Sequence, residues 1–419
     1  MKIEKIEIQN FRCFENNIFS FNPNMTVLIG DNGSGKTAIL DALSLVLSEF
    51  IKGFSDIDKS KLPILSKQDK RYVLLEMGQT RIKQSPFDIL LIEANITIND
   101  NIEICTISDS PMIFDNPHLA LNYAKNIMEQ DAFLPFIGYY PTDRLCKKKK
   151  KNNNEIETLP PSSRLFGYKN CLQTSIELEQ IFSWFKTQEL IALEEKQEIH
   201  ILEAVRNAII NMIPEAKNVY WSTKEGGLIV KVQIQGKIQS LPFHLLSDGY
   251  RIMIAMVADI AYRMATLNPQ LEKNVIKETE GIVLIDEIDL HLHPKWQKIV
   301  VERLSNTFPK VQFIATTHSP FIVQSLKANE IINLDRNQLS EDPEKLSLEE
   351  NALYMGVQDS RSDKFVRKGK IAEEYLNLLN TNNNDEALLI TLDELLSEFG
   401  DDPVFIAKLK LERLAKLGR

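Results

Sequence analysis

Gly30-Asp-Asn-Gly-Ser-Gly-Lys-Thr37 narrows the possible folds more than any other feature of the chain. Upstream, Met25-Thr-Val-Leu-Ile29 is apolar on both faces, as a strand inside a sheet covered on both sides must be. Downstream, Ile39, Leu43, Val46 and Phe50 recur at helical spacing. Strand, glycine-rich loop and helix in that order are the context in which backbone N–H groups wrap a phosphate. Gly30, Gly33 and Gly35 let those groups turn inward where side chains would collide, with Asp31, Asn32 and Ser34 filling the loop between them. In such a loop Lys36 places a point charge between the β- and γ-phosphates of ATP, and the Thr37 hydroxyl is a ligand for Mg²⁺.

Three further segments carry chemistry. Ile282-Val-Leu-Ile-Asp-Glu287 is a buried strand ending in two carboxylates, costly to place there unless a cation meets them. Asp286 suits Mg²⁺ held through water, and Glu287 suits polarising an attacking water; the bland alternative is a solvated strand end. Leu246-Ser-Asp-Gly-Tyr250 precedes an apolar helical stripe of Ile252, Met253, Met256, Val257 and Ile260. Ser247 and Gly249 at a helix start make an anion site, although a plain capping serine reads the same way. Thr316-Thr-His318-Ser follows another buried strand, Gln312–Ala315. In Asp289-Leu-His-Leu-His-Pro294, His291 and His293 suggest a metal pair, but without a third ligand zinc is disfavoured and an interface role preferred.

The rest of the chain sets bounds. A net charge of −9 over 419 residues excludes a generally basic nucleic-acid binder and leaves nucleic acid to a local groove. Lys147 to Lys151, followed by asparagines, read as a solvated loop rather than a phosphate patch. Cys13, Cys105, Cys146 and Cys171 lie far apart with no CxxC pair, which suits free thiols in a reducing compartment. With no signal core and no run approaching the ~20 apolar residues of a membrane helix, a soluble cytoplasmic protein without membrane contact is expected. Ile6 and Ile8, Phe136–Tyr140 and Leu228–Ile234 read as strands, and Ile96–Ile98 with Ile102–Ile104 as a hairpin. Leu202, Val205, Ile209 and Met212 mark a helix stopped by Pro214, and residues 388–399 and 403–417 read as two amphipathic helices.

Taken in order, the glycine loop, Leu246–Tyr250, the Asp286-Glu287 strand and His318 resemble the Walker A, signature, Walker B and switch-histidine elements of ABC-type ATPases. The resemblance implies an α/β fold: an ABC-type P-loop nucleotide-binding domain with a mixed sheet, antiparallel in its N-terminal part, and flanking helices. A composite domain over 1–336 is expected, with a mostly helical insertion at 145–225, followed by C-terminal helices at 337–419 that could dock a partner. It also implies that His318 reaches the γ-phosphate, and that Ser247 and Gly249 close over ATP held by a second copy in a homodimer or higher even-numbered oligomer. The entry Ile8-Gln-Asn-Phe-Arg-Cys-Phe14 resembles the RecF and OLD branch, where the early arginine, here Arg12, lies near the nucleotide. Closer is a group of stand-alone bacterial ATPases that work in anti-phage defence, as in Septu (PtuA-like), retron-linked and PARIS systems. Leu134–Arg144, Phe166-Gly-Tyr168, Ser183-Trp-Phe185 and Asp286–Pro294 are similar to that group's pattern. Its members imply a separate effector, such as an HNH-type nuclease. The chain departs from the ABC pattern in lacking a clear Q-loop glutamine: Tyr139–Arg144 stands in its place and Gln130 is an alternative, which implies slow hydrolysis. Competing readings are a RecF-like repair ATPase on DNA and a single-chain OLD-like nuclease. The second is weakened because no Glu…Asp-x-Asp cluster follows His318.

Overall fold

A computed structural model describes residues 1–54, 57–77, 80–84, 89–98, 101–110, 133–144, 163–173, 176–335, 341–357, 367, 370–377, 407–409, 411–412 and 414. β1 (Lys2–Phe11) and β2 (Phe14–Ser20) pair antiparallel around the Arg12-Cys13 turn. Ile3, Ile6 and Ile8 of β1 are all buried although the first two are an odd number apart. A bulge between Ile3 and Lys5 shifts the pleat and returns both to one face. β3 (Met25–Ile29) is buried throughout, and α1 (Lys36–Lys52) turns Ile39, Leu43, Val46 and Phe50 into the core as their spacing requires.

β4 (Val73–Met77) and β5 (Thr80–Gln84) form a two-stranded ribbon. β6 (Leu91–Ile98) and β7 (Asn101–Ser108) make the expected hairpin and extend the first sheet to the order β2-β1-β6-β7. After β8 (Phe136–Tyr140) come α2 (Leu178–Glu195) and α3 (His200–Met212). β9 (Ala216–Ser222), β10 (Gly227–Ile234) and β11 (Lys237–Pro242) then form a three-stranded antiparallel sheet. The basic run at 147–151 lies outside the described residues.

α4 (Asp248–Leu267) is followed by β12 (Gly281–Ile285), α5 (Pro294–Thr307), β13 (Val311–Thr316) and β14 (Ile331–Asn333). The central sheet has the order β14-β3-β13-β12-β8 and every pairing in it is parallel. Parallelism has a direct consequence for the site. The segments after β3, β8, β12, β13 and β14 all emerge at one end, the carboxyl end, where open α/β sheets bind ligands.

Two compact units divide the chain, Met1–Asn351 and Ala352–Arg419. Near the end of the first, buried Asn351 donates to the carbonyls of Pro343 and Ser347, both at 3.0 Å, and closes the segment between them. In the second, residues 370–377 are helical with Tyr375 buried. The expected helix at 388–399 lies outside the described residues; within 403–417, residues 407–409, 411–412 and 414 are helical.

One buried polar knot fixes α4 to the sheet. The Arg263 guanidinium pairs with Asp259 at 2.8 Å, and each side chain is only 5% exposed. Tyr140 at the end of β8 donates to the same carboxylate at 2.8 Å, while Arg263 also donates to the carbonyls of Gly167 and Lys169 at 2.9 and 2.7 Å. Burial, then the Asp259 charge, push the Tyr140 phenol well above its ordinary pKa, so it stays a donor. Removing one partner strands the other charge in the interior. Arg263→Met is therefore expected to lower stability by about 3–5 kcal/mol in urea denaturation, and Asp259→Leu/Arg263→Met to recover part of the loss. A single substitution that leaves the midpoint unchanged would contradict this.

Candidate nucleotide site

The glycine loop leaves β3 and enters α1 through Gly35, which has a left-handed φ of 102°. A Cβ there would lie 2.7 Å from the Cys13 sulfur and 2.5 Å from the Phe14 ring, so only glycine lets the loop press on the β1–β2 turn. Lys36 is 7% exposed, and its Nζ donates to the carbonyls of Gly30 and Asp31 at 2.7 and 2.9 Å. The ammonium is thus folded back over the loop mouth. Desolvation lowers its pKa, opposed by the charges of Asp335, Asp286, Asp31 and Glu287. The Ser34 hydroxyl is buried in the loop with no hydrogen-bond partner among the described residues, an unspent group where an oxygen ligand would fit.

Across the sheet end, the loop meets the acids. The Thr37 hydroxyl donates to Asp286 Oδ2 at 3.0 Å, bridging 249 positions of sequence. Thr316, at the end of β13, donates to Asp286 Oδ1 at 2.6 Å and accepts from the Glu287 N–H at 2.7 Å. Glu287 adopts a left-handed φ of 49°, a conformation that costs a non-glycine residue about 1–2 kcal/mol. The turn is held from the other flank as well. The Asp286 N–H donates to Tyr140 O at 2.9 Å, and buried Arg144 donates to the carbonyls of Asp286 and Glu287 at 2.6 and 2.9 Å.

His318 is exposed, but its neighbours are fixed: Thr317 donates to the Asp289 carboxylate, and Ser319 donates to Gln297 at 2.7 Å. Arg12, also left-handed, pairs with Asp41 of α1 and with Asp69, and Tyr139 donates to Asp41 at 2.9 Å. The two histidines, disfavoured in sequence as a metal pair, have local placements of their own. His293 caps α5 by accepting from the Lys295 N–H at 3.2 Å, and His291 occupies a left-handed turn, φ 62°. Among the described residues no group of three His, Cys, Asp or Glu is arranged to hold a metal.

Leu246–Tyr250 lies against that turn. A Cβ on Gly249 would come within 2.7 Å of the His291 carbonyl, so a side chain cannot be accommodated. The departure at Tyr250 has a packing reason: its ring meets Trp296 of α5 edge-on at 4.5 Å and its hydroxyl donates to Glu215 at 3.1 Å. Ser247 is the N-cap residue of α4, exposed, with no side-chain capping bond. Among the described residues, no hydrogen bond joins 246–250 to the glycine loop 30–37 of the same chain.

Sequence reasoning missed two participants. Arg144 stands in the sequence as the end of the Leu134–Arg144 segment and beside the absent glutamine, with no role of its own. Asp335 went unremarked because a single acid after a three-residue edge strand has no signature. β14 pairs beside β3 and sets the Asp335 carboxylate on the Asp31 N–H at the loop mouth.

A glycine loop on a parallel sheet, with its threonine bonded to the acid that ends a strand two places away and a serine at the start of a further helix, defines a P-loop ATPase of the ABC type. The chain belongs to the AAA ATPase domain family, whose model matches residues 1–323. It is 30% identical to the "Retron Vc95 probable ATPase" of Vibrio cholerae over 79% of this chain and 73% of that protein. It is 27% identical to the "Retron Ec83 probable ATPase" of Escherichia coli, over 98% and 86%. The Septu protein PtuA of Bacillus thuringiensis is 27% identical, over 79% of this chain and 75% of that one. No helix among the described residues is long and apolar enough to cross a membrane.

The Asp335 charge competes with phosphate for Lys36. Asp335→Asn keeps an acceptor for the Asp31 N–H and removes the charge, so nucleotide affinity should tighten about fivefold at low salt. Fluorescent-nucleotide titration checks this, and unchanged or weaker affinity would contradict it.

Proposed function

We propose that two copies of this chain close head-to-tail over ATP, and that hydrolysis switches a separate effector on or off in defence against phage. One observation carries the pairing. Ser247 presents an unspent hydroxyl and a helix start to solvent, while the glycine loop is joined within its own chain to Asp286, Asp335 and the β1–β2 turn. A helix start with free N–H groups attracts anions, and the anion it fits is the γ-phosphate bound by a partner. The retron ATPases and Septu protein to which the chain is similar support the defence setting and a separate effector, for which a nuclease is the natural class.

Within each site the roles divide by chemistry. Lys36 neutralises the β- and γ-phosphates once ATP displaces the two loop carbonyls from its ammonium. Thr37 and Asp286 offer two hard oxygens side by side, which fits Mg²⁺, and they would hold it there. That ion would supply charge neutralisation on the phosphate oxygens. Glu287 accepts a proton from water as the water oxygen bonds to the γ-phosphorus and the bond to the β-phosphate oxygen breaks, leaving ADP and phosphate. His318, exposed beside the acids, donates to the γ-phosphate.

Lys36→Ala is expected to abolish nucleotide binding. Glu287→Gln should bind ATP normally while turnover falls about 10²–10⁴-fold. Binding and ATPase assays in parallel separate the two, and full-rate hydrolysis by Glu287→Gln sinks the assignment. Sharing is tested by mixing. Lys36→Ala and Ser247→Arg chains, each inactive alone, should form hybrid pairs with one intact site and up to about half of wild-type activity per hybrid, or about a quarter for an equal, randomly paired mixture. Mixtures that stay inactive although native mass spectrometry detects hybrids contradict shared, independent sites.

A further inference from the structure

Arg144 is the buried cation that the nucleotide chemistry above does not use. It is 3% exposed, and among the described residues no carboxylate lies within ion-pair distance of it. Its hydrogen bonds go to backbone carbonyls alone: Pro141 at 3.2 Å, Asp286 at 2.6 Å and Glu287 at 2.9 Å. A buried guanidinium spent on main chain is expensive, and desolvation lowers its pKa against the pull of Asp286, Glu287 and Asp289. Such an arrangement persists where the geometry it imposes is needed.

That geometry is specific. In an extended strand successive carbonyls point to opposite sides. Those of Asp286 and Glu287 converge on one guanidinium, and the Glu287 residue between them is left-handed. Two donors of a rigid planar fork fit two carbonyls held this way; the point charge of a lysine does not. From the β13 side Thr316 holds the Glu287 N–H, so the residue is gripped at both its N–H and its carbonyl, while its carboxylate has no hydrogen bond or ion pair among the described residues. Arg144 also comes from the segment that follows β8, which bonds to Asp286 through Tyr140 O.

We infer that Arg144 is a positioning residue for hydrolysis: its fork holds the backbone turn that aims the Glu287 carboxylate at the attacking water. The inference rests on the assignment of Glu287 to water activation. It also gives the segment 141–144 a task although it carries no glutamine.

The test is Arg144→Lys in the full chain. Its kcat is expected to fall about 10–100-fold, the scale of a misaligned reacting group. KM and ATP affinity should stay within about threefold of wild type, with the thermal unfolding midpoint lowered by no more than about 5 °C. A residue that merely supports the core would lower binding, kcat and stability together, and that result overturns the inference. So does an unchanged kcat. Should the lysine variant not fold, Arg144→Gln, with a planar donor of shorter reach, gives the same reading; loss of fold in both places Arg144 in the core and overturns the inference. Glu287→Gln run alongside separates the two claims. If it hydrolyses ATP at full rate, the Glu287 assignment has failed; if it loses turnover while Arg144→Lys keeps the wild-type kcat, only the positioning role has failed.

Discussion

The hydrogen bond from Thr37 to Asp286 is the contact on which the site depends, because it joins the glycine loop to an acid 249 residues away. It requires β3 and β12 to run the same way and to lie on either side of β13. Were either strand reversed, the loop and the acid would stand at opposite ends of the sheet. Two crossovers and the burial of entire strands such as β3, β12 and β13 enforce that direction, so core and site are one arrangement.

Around that bond, strain is stored and contained. Glu287 sits in a conformation its side chain disfavours, and the neighbouring strands hold it there: Thr316 from β13, Tyr140 and Arg144 from the end of β8. The Glu287 turn continues through Asp289 to His291, whose carbonyl touches Gly249 at the head of α4. Acids, turn and helix start therefore form one continuous backbone surface.

Much of this was legible in the sequence. Residues 30–37 and 282–287 announced themselves through context, since a buried strand ending in a special loop or in two acids has few uses. The stripes of α1 and α4 and the β6–β7 hairpin followed from spacing. Where reasoning fell short, the cause was tertiary. Asp335 matters only because β14 pairs with β3, and no local pattern records a neighbour in a sheet. Arg144 acts on backbone atoms, which have no letter in a sequence. For His293, read in sequence as an interface residue rather than a metal ligand, the structure adds a local task that spacing did not show: its ring accepts from the Lys295 N–H at the start of α5. The tail is a different matter, since 388–399 lies outside the described residues.

The central claim is that a site is completed by a second copy. A structure of Glu287→Gln with ATP and Mg²⁺ tests it most directly, because the substitution is expected to trap the closed state. The account predicts a two-fold pair in which Ser247 and the N-terminus of α4 from one copy contact the γ-phosphate bound by Lys36 of the other. A nucleotide contacted only by residues of its own chain, with Ser247 still facing solvent, would contradict it.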